Sequence, residues 1–427
     1  MDREEFAGRG AGNSSRSGFA ALSRRQLATL VPELLLAGQL IDRSALAHVL
    51  VALGPDGMRD VAIDEWMGAS PVYTRRMQRA LQFVGDDVVT IFKGLQLDIG
   101  APPQFMDFRY TVHDAQHGQF ELAHCGALLD VAPMGEDYVR LMCHDIEDPT
   151  FDATAVATNA RAQVRPVYRP PHAQPDRQPH CAWTVTIDPA HPAVPEPAAA
   201  VQIAATRAAR FDGVTPIDPA EDGAGDYSGP LLADLRFADF SQSALVRLAE
   251  EVCLQMHLLV LSFRLALRAR TDEGTATEIT GKGCTGIAGL AAERIRAALD
   301  LPGDLAGAAE LFAVHPMTNP RDYVRFDSEL GDDLTVRWHR DAPAEHDGAW
   351  PSLLDADHLE PVQAILHAVD PSLRAELTRD DGDVLELTVV HDGEPHDELP
   401  EVGITRFSTG ASFTFADRGN RPALPVI

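Results

Sequence analysis

A chain of 427 residues, 45% hydrophobic and 23% charged, has enough apolar material for two globular domains. Its formal net charge of -28 sets it against phosphate backbones and anionic lipid surfaces, so neither nucleic acid nor a membrane is expected as a partner. Lysine occurs only at Lys93 and Lys282, which leaves little material for lysine chemistry.

In chain order, residues 1–19 are polar, lack an apolar signal core and are expected to be disordered. A helix is expected from Ser23, whose hydroxyl can accept a bond from a free helix-start amide; Pro32 should kink or split it. No apolar run is expected to be long enough to cross a bilayer. The segments "FRYTV" and "QFELAH" alternate as strands, a short helix is expected over about 149–159, and two further strands close the unit across the long loop "RPPHAQPDRQPH".

The chain then repeats itself. Written without a gap, residues 23–86 match 241–304: Ser23 falls on Ser241, Glu33 on Glu251, Ser44 on Ser262 and Arg76 on Arg294. The later parts match with small gaps, "CHDIEDP" over "DADHLEP" among them, and the second unit replaces the long loop with "RDDGD", a strong hairpin signal. The predicted organisation is a disordered 1–19, copy 1 at 20–188, a linker at 189–238 rich in Pro, Ala, Gly and Asp, copy 2 at 239–392, and a tail from 393 to 427 that could add one strand. The fold class is α+β: two tandem repeats, each with N-terminal helices packed on an antiparallel sheet.

The five cysteines, Cys125, Cys143, Cys181, Cys253 and Cys284, form no close-spaced framework, which fits a cytoplasmic protein with reduced thiols. Three of them lie in copy 1 without a cysteine counterpart in copy 2. Each of these stands at the edge of a predicted element, where sites are commonly built: Cys125 ends a strand, Cys143 precedes a helix and Cys181 opens a strand. Histidines crowd the same region, with His144 directly after Cys143 and Asp145 next. Three readings stay open. Cys125, Cys143, His144 and Cys181 could ligate zinc or another divalent metal, although no CxxC knuckle is present. Cys143 or Cys125 could be a nucleophile activated by His144 or His124. Or the thiols simply pack in the core. Asp145 and Asp357 sit where a capping box would start a helix. "TGKGCTG" at 280–286 lacks phosphate-loop spacing and reads as a loop between helices, and His257 reads as a core histidine.

The pattern "ELAHC", "LMCHD" and "PHCAW" resembles the L-2-amino-thiazoline-4-carboxylate hydrolase-like domains, which are distantly similar to 4-vinyl reductase ligand-binding domains. The resemblance covers about residues 70–188 and places Cys125, Cys143, Asp145 and Cys181 at the family's marked positions. It implies a small-molecule hydrolase acting on a C–N bond of a cyclic amidine or thiazoline-like substrate, with Asp145 orienting the site. The alternative expectation is a non-catalytic module that binds a small ligand or cofactor.

Overall fold

The computed structural model describes residues 17–174, 176–419 and 423–425. Of the segment expected to be disordered, residues 1–16 lie outside the described residues. Residues 17–19 are ordered: a 3-10 turn, Gly18–Ala21, buries Phe19 in the core.

The first helix, α1 (Arg24–Ala80), starts as its sequence dictates. Ser23 Oγ accepts the Gln26 amide while the Gln26 side chain accepts from the Ser23 amide, closing a capping box. The helix runs through Pro32 without interruption and breaks instead at Gly54, which takes φ 72° and ψ -177° ahead of Pro55. A left-handed φ followed by proline stops a helix better than proline alone, so α1 is two arms, 24–53 and 55–80. By length and composition α1 would pass for a membrane-crossing helix, contrary to the expectation from sequence, yet 72% of its most apolar window is buried in the fold.

After α2 (Val88–Leu95) come β1 (Met106–Val112), β2 (His117–Cys125), a helical stretch ending in α3 (Glu147–Val156), β3 (Ala162–Tyr168) and β4 (Cys181–Ile187). The strands pair antiparallel in the order β1-β2-β4-β3. A short helix, α4 (Ala198–Ala204), follows. The second half repeats the plan: α5 (Gln242–Arg268), capped by Ser241 as expected, α6 (Glu273–Leu299), α7 (Leu305–Val314), β5 (Phe326–Leu330), β6 (Leu334–His339), α8 (Glu360–Val369), β7 (Leu373–Asp380), β8 (Val384–His391) and α9 (Pro400–Thr405). Its sheet order, β5-β6-β8-β7, is the same. The α+β class and the duplication are therefore both present.

The helices of the two halves interleave. α5 and α6 pack mainly against α1 and only slightly against each other. The repeat predicts which residues meet. Arg76 reaches across to Glu251 with two bonds of 2.9 Å, and Arg294 reaches back to Glu33 at 2.7 Å through Nε. These residues occupy equivalent positions in the two copies, so the contact is exchanged about a pseudo-two-fold axis. Gly68 and Gly286 are equivalent too. A Cβ at Gly68 would collide with Ser262 Oγ, and one at Gly286 with Ser44 Oγ, so glycine is needed twice for one close helix crossing. This explains "TGKGCTG": it lies in mid-α6, not in a loop, and Gly283 and Gly286 admit the neighbouring helix at Ala45 and Ser44.

The boundaries expected at 188 and 393 cut the repeat short. Arg76 Nη1 also donates to the carbonyls of Ala209 and Phe211, and Arg294 donates to those of Gly410, Ala411 and Phe413. α4 packs on α1 as α9 packs on α6. Each half thus ends in a short helix and a turn tied down by its own arginine, and the tail adds a helix where a strand was expected. The linker is docked as well, with the Tyr227 amide bonded to Leu81 O at 2.8 Å and Lys93 Nζ to Tyr227 O at 2.8 Å.

Arg76 and Glu251 are buried and Arg294 and Glu33 partly so, and in each pair removing one partner leaves a charge shielded from water. Arg76→Ala should destabilise the protein by ~3–5 kcal/mol, and Arg294→Ala should act in the same direction by less. Since the halves share one core, thermal unfolding monitored by circular dichroism should stay a single transition in the wild type. Two separate transitions would show that the halves fold independently.

Candidate functional site

The break at Gly54 folds the two arms of α1 beside each other, and the first sheet covers them. Between the arms, β1 and the start of α3 lies a cavity, of which about 80 Å³ is open to water centres, several times the space one water requires. Its walls are apolar and aromatic, with Leu95, Met106, Phe108, Met142, Ile146 and Phe151. Its polar lining includes three acids, Asp42 from the first arm, Asp98 from the turn after α2 and Glu147 from the start of α3, together with Gln39, Arg43, Tyr73, Thr150 and Thr154.

Each acid is held by its neighbours. Trp66 Nε1 donates to Asp42 Oδ2 at 2.7 Å. Tyr73 Oη and the Gly100 amide both donate to Asp98 Oδ1 at 2.7 Å. Behind Asp42 stands Glu65, wholly buried. If both were ionised, no donor would lie between these carboxyls and both Glu65 oxygens would be unsatisfied. Burial and the adjacent Asp42 hold the Glu65 pKa far above the carboxylate range, so Glu65 keeps its proton and donates it to Asp42. Burial raises Asp98 to about 6, opposed by its bonds from Gly100 and Tyr73. Glu147 is raised to about 8, chiefly by burial; Arg169 lowers it and Asp148 raises it further. Its Oε2 is buried and accepts no hydrogen bond. Arg43 also lines the cavity, and its Nε lies 3.4 Å from Asp130 Oδ2.

Glu147 is placed by a turn of π-helix, Leu141–Ile146, that runs directly into α3. The wider π turn directs Met142, Ile146 and Glu147 to the cavity, and such turns recur at functional positions. It also overturns the capping reading. The chain is already helical at residue 145, so Asp145 is exposed and caps nothing; α3 has no side-chain cap. In the second half Asp357 does not cap α8 either.

The sheet order does bring the three copy 1 cysteines toward one place. Cys125 ends β2 opposite Met106, Cys181 opens β4 opposite Leu122, and Cys143 lies in the π turn above them. Cys143 and Cys181 both feel Cys125 and Glu147 electrostatically. All three thiols are buried, and none lines the cavity. Burial raises Cys125 to about 12 and drives Cys143 and Cys181 upward as well, so each is a thiol rather than a thiolate at neutral pH. Cys125 Sγ caps the following short helix by accepting the Leu128 amide at 3.4 Å. His144 turns away, its Nε2 bonded to Pro170 O at 2.8 Å, and His124 Nδ1 bonds Phe105 O at 2.9 Å. Among the described residues no three His, Cys, Asp or Glu side chains are arranged to hold a metal ion. His257 is, as expected, a core histidine, bonded to Asn319 O at 2.9 Å.

Sequence reasoning that followed cysteine and histidine missed the acids, though the repeat carries their signal. In the ungapped register Asp42, Glu65, Trp66 and Tyr73 fall on Val260, Gly283, Cys284 and Ala291. Glu147, in the aligned "CHDIEDP", falls on Leu359. The second half replaces every one of these polar or aromatic groups with a smaller or apolar residue. Comparison with family profiles, curated proteins and solved structures finds no match to this chain.

A buried carboxyl with a raised pKa makes the folded state lose stability as pH rises from the unfolded value toward the folded one. Asp98 completes its share by about pH 6 and Glu147 continues to about pH 8. The melting temperature should therefore fall between pH 6 and 8, and Glu147→Gln should make that fall shallower, the remainder coming from Glu65, whose proton is held to higher pH. A wild-type profile that is flat or rising there would contradict the assignment. The charged groups acting on Glu147 across this range are Arg169 and Asp148; the three nearby thiols stay protonated.

Proposed function

We propose that the first half is a small-ligand-binding module whose site is the acidic cavity, and that the second half is a scaffold of the same fold. The observation that carries this reading is Glu147, a buried acid that lines the cavity and whose Oε2 has no hydrogen-bond partner. A buried polar atom without a partner is costly and rare in a folded protein, and a ligand donor would satisfy it. The loss of the corresponding polar groups from the second half supports the same division of labour.

A second reading, hydrolysis of a C–N bond as the sequence resemblance implies, is favoured by one observation. Glu147 and Asp98 line the same cavity with pKa values near 8 and 6, so at pH 7 one is an acid and the other a carboxylate. Pairs whose environments separate their pKa values in this way suit acid–base chemistry. In that reading the carboxyls act on the substrate directly and the thiols serve the core.

Methyl-resolved NMR tests the binding reading. Titration with a panel of small charged and neutral molecules should shift Met106, Met142 and Ile146 at the cavity while leaving Met256 and Met317 in the second half unmoved. A panel that shifts no cavity methyl would overturn it. If a thiazoline carboxylate is turned over, Glu147→Gln should cost at least 100-fold in kcat, the range typical of losing an acid–base group. Cys143→Ser should retain most of the rate and lower only stability; the opposite pattern would restore the thiol mechanism.

A further inference from the structure

We infer that the ligand of this cavity is a small organic cation, a protonated primary amine on a short alkyl chain. This rests on the cavity being a ligand site and adds the class of ligand.

The argument is one of unmet charge and of shape. Asp42 and Asp98 are buried, and the groups bonded to them are neutral: an indole N–H, a phenol O–H, a backbone amide and the Glu65 acid. Neutral donors stabilise a carboxylate without cancelling its charge, and an uncancelled buried charge is expensive. The cation on the wall, Arg43, has Asp130 as well as Asp42 to balance. Glu147 adds a third carboxyl, neutral at pH 7, whose Oε2 has no hydrogen-bond partner and which a bound cation would help to ionise. An ammonium group offers three donors and one positive charge in a compact head, which suits such an acid-lined space. Beside the acids stand aromatic rings, Trp66, Phe108 and Phe151, with Met106 and Met142. Those faces attract a cation and accommodate an apolar stem.

The competing classes fit less well. A carboxylate or phosphate would meet the Asp42 and Asp98 carboxyls, neither of which has a cation bonded to it. A neutral alcohol could bond Glu147 Oε2 but would leave the charge of Asp42 and Asp98 as it is. A divalent metal would need several of the acids around one point, and no three such side chains are so arranged among the described residues.

The test uses three probes of matched size, n-butylammonium, n-butanol and butyrate, and magnesium ion as a fourth, on the full chain at pH 7. Binding is followed by the methyl signals of Met106 and Met142. Butylammonium should saturate these shifts with a Kd at least tenfold below that of butanol, and butyrate and magnesium should leave them unchanged. Asp98→Asn should weaken butylammonium at least tenfold and leave butanol unaffected; Glu147→Gln, read at pH 9 where Glu147 is ionised and butylammonium still protonated, serves as the second variant and should act in the same direction. Butanol or butyrate binding as tightly as butylammonium would overturn the cationic class while leaving the cavity as a ligand site. If none of the four moves the methyls and the broader panel is also silent, the ligand-site reading fails with it.

Discussion

Two arginine–glutamate pairs, Arg76 with Glu251 and Arg294 with Glu33, hold this structure in its one arrangement. A buried guanidinium must find a carboxylate, and here each finds it in the other half. The requirement fixes how α1 crosses α5 and α6, and the crossing in turn demands Gly68 and Gly286 where the helices touch. Each arginine also gathers the carbonyls that end its own repeat, so the same side chain fixes both the partner half and the terminal turn. The molecule has the organisation of a dimer joined into one chain.

That organisation has a consequence for function. In a symmetric dimer any change is made twice, whereas a joined dimer can change one half while the other preserves the core. Here the second half carries Val260, Gly283, Ala291 and Leu359, which pack without polar demands, and the first half carries Asp42, Glu65, Tyr73 and Glu147. Burying these acids costs stability, a pattern expected of a functional site rather than of a framework. The break at Gly54 and the π turn at Leu141–Ile146 are the two local irregularities that open space between the arms and direct Glu147 into it.

Much of the fold was legible because it rests on local signals. The serines at 23 and 241 start helices, the alternation in "FRYTV" and "LTVRWH" makes strands, and one ungapped register reveals the duplication. The ends of the repeats were not legible, because α4 and α9 share little beyond Val201 with Val402 and Ile203 with Ile404, and composition suggested a linker. The site was legible only in part. The cysteines do approach one another through the sheet order, but a residue type that can do chemistry says nothing of its surroundings. Burial keeps these thiols protonated and turns His144 to a backbone carbonyl. The acids were overlooked because a single Asp or Glu on a helix usually faces water. Their burial depends on the opposing helix, which only the folded chain supplies.

The account stands on the state of one side chain, the Glu147 carboxyl at the cavity wall. The most direct measurement is a carbon-13 NMR titration of that carboxyl in the wild-type protein, assigned by comparison with Glu147→Gln. A buried, unpartnered acid should titrate with a midpoint near 8. A midpoint in the ordinary glutamate range, about 4.3, would mean that Glu147 is solvated or already paired, and would contradict the site described.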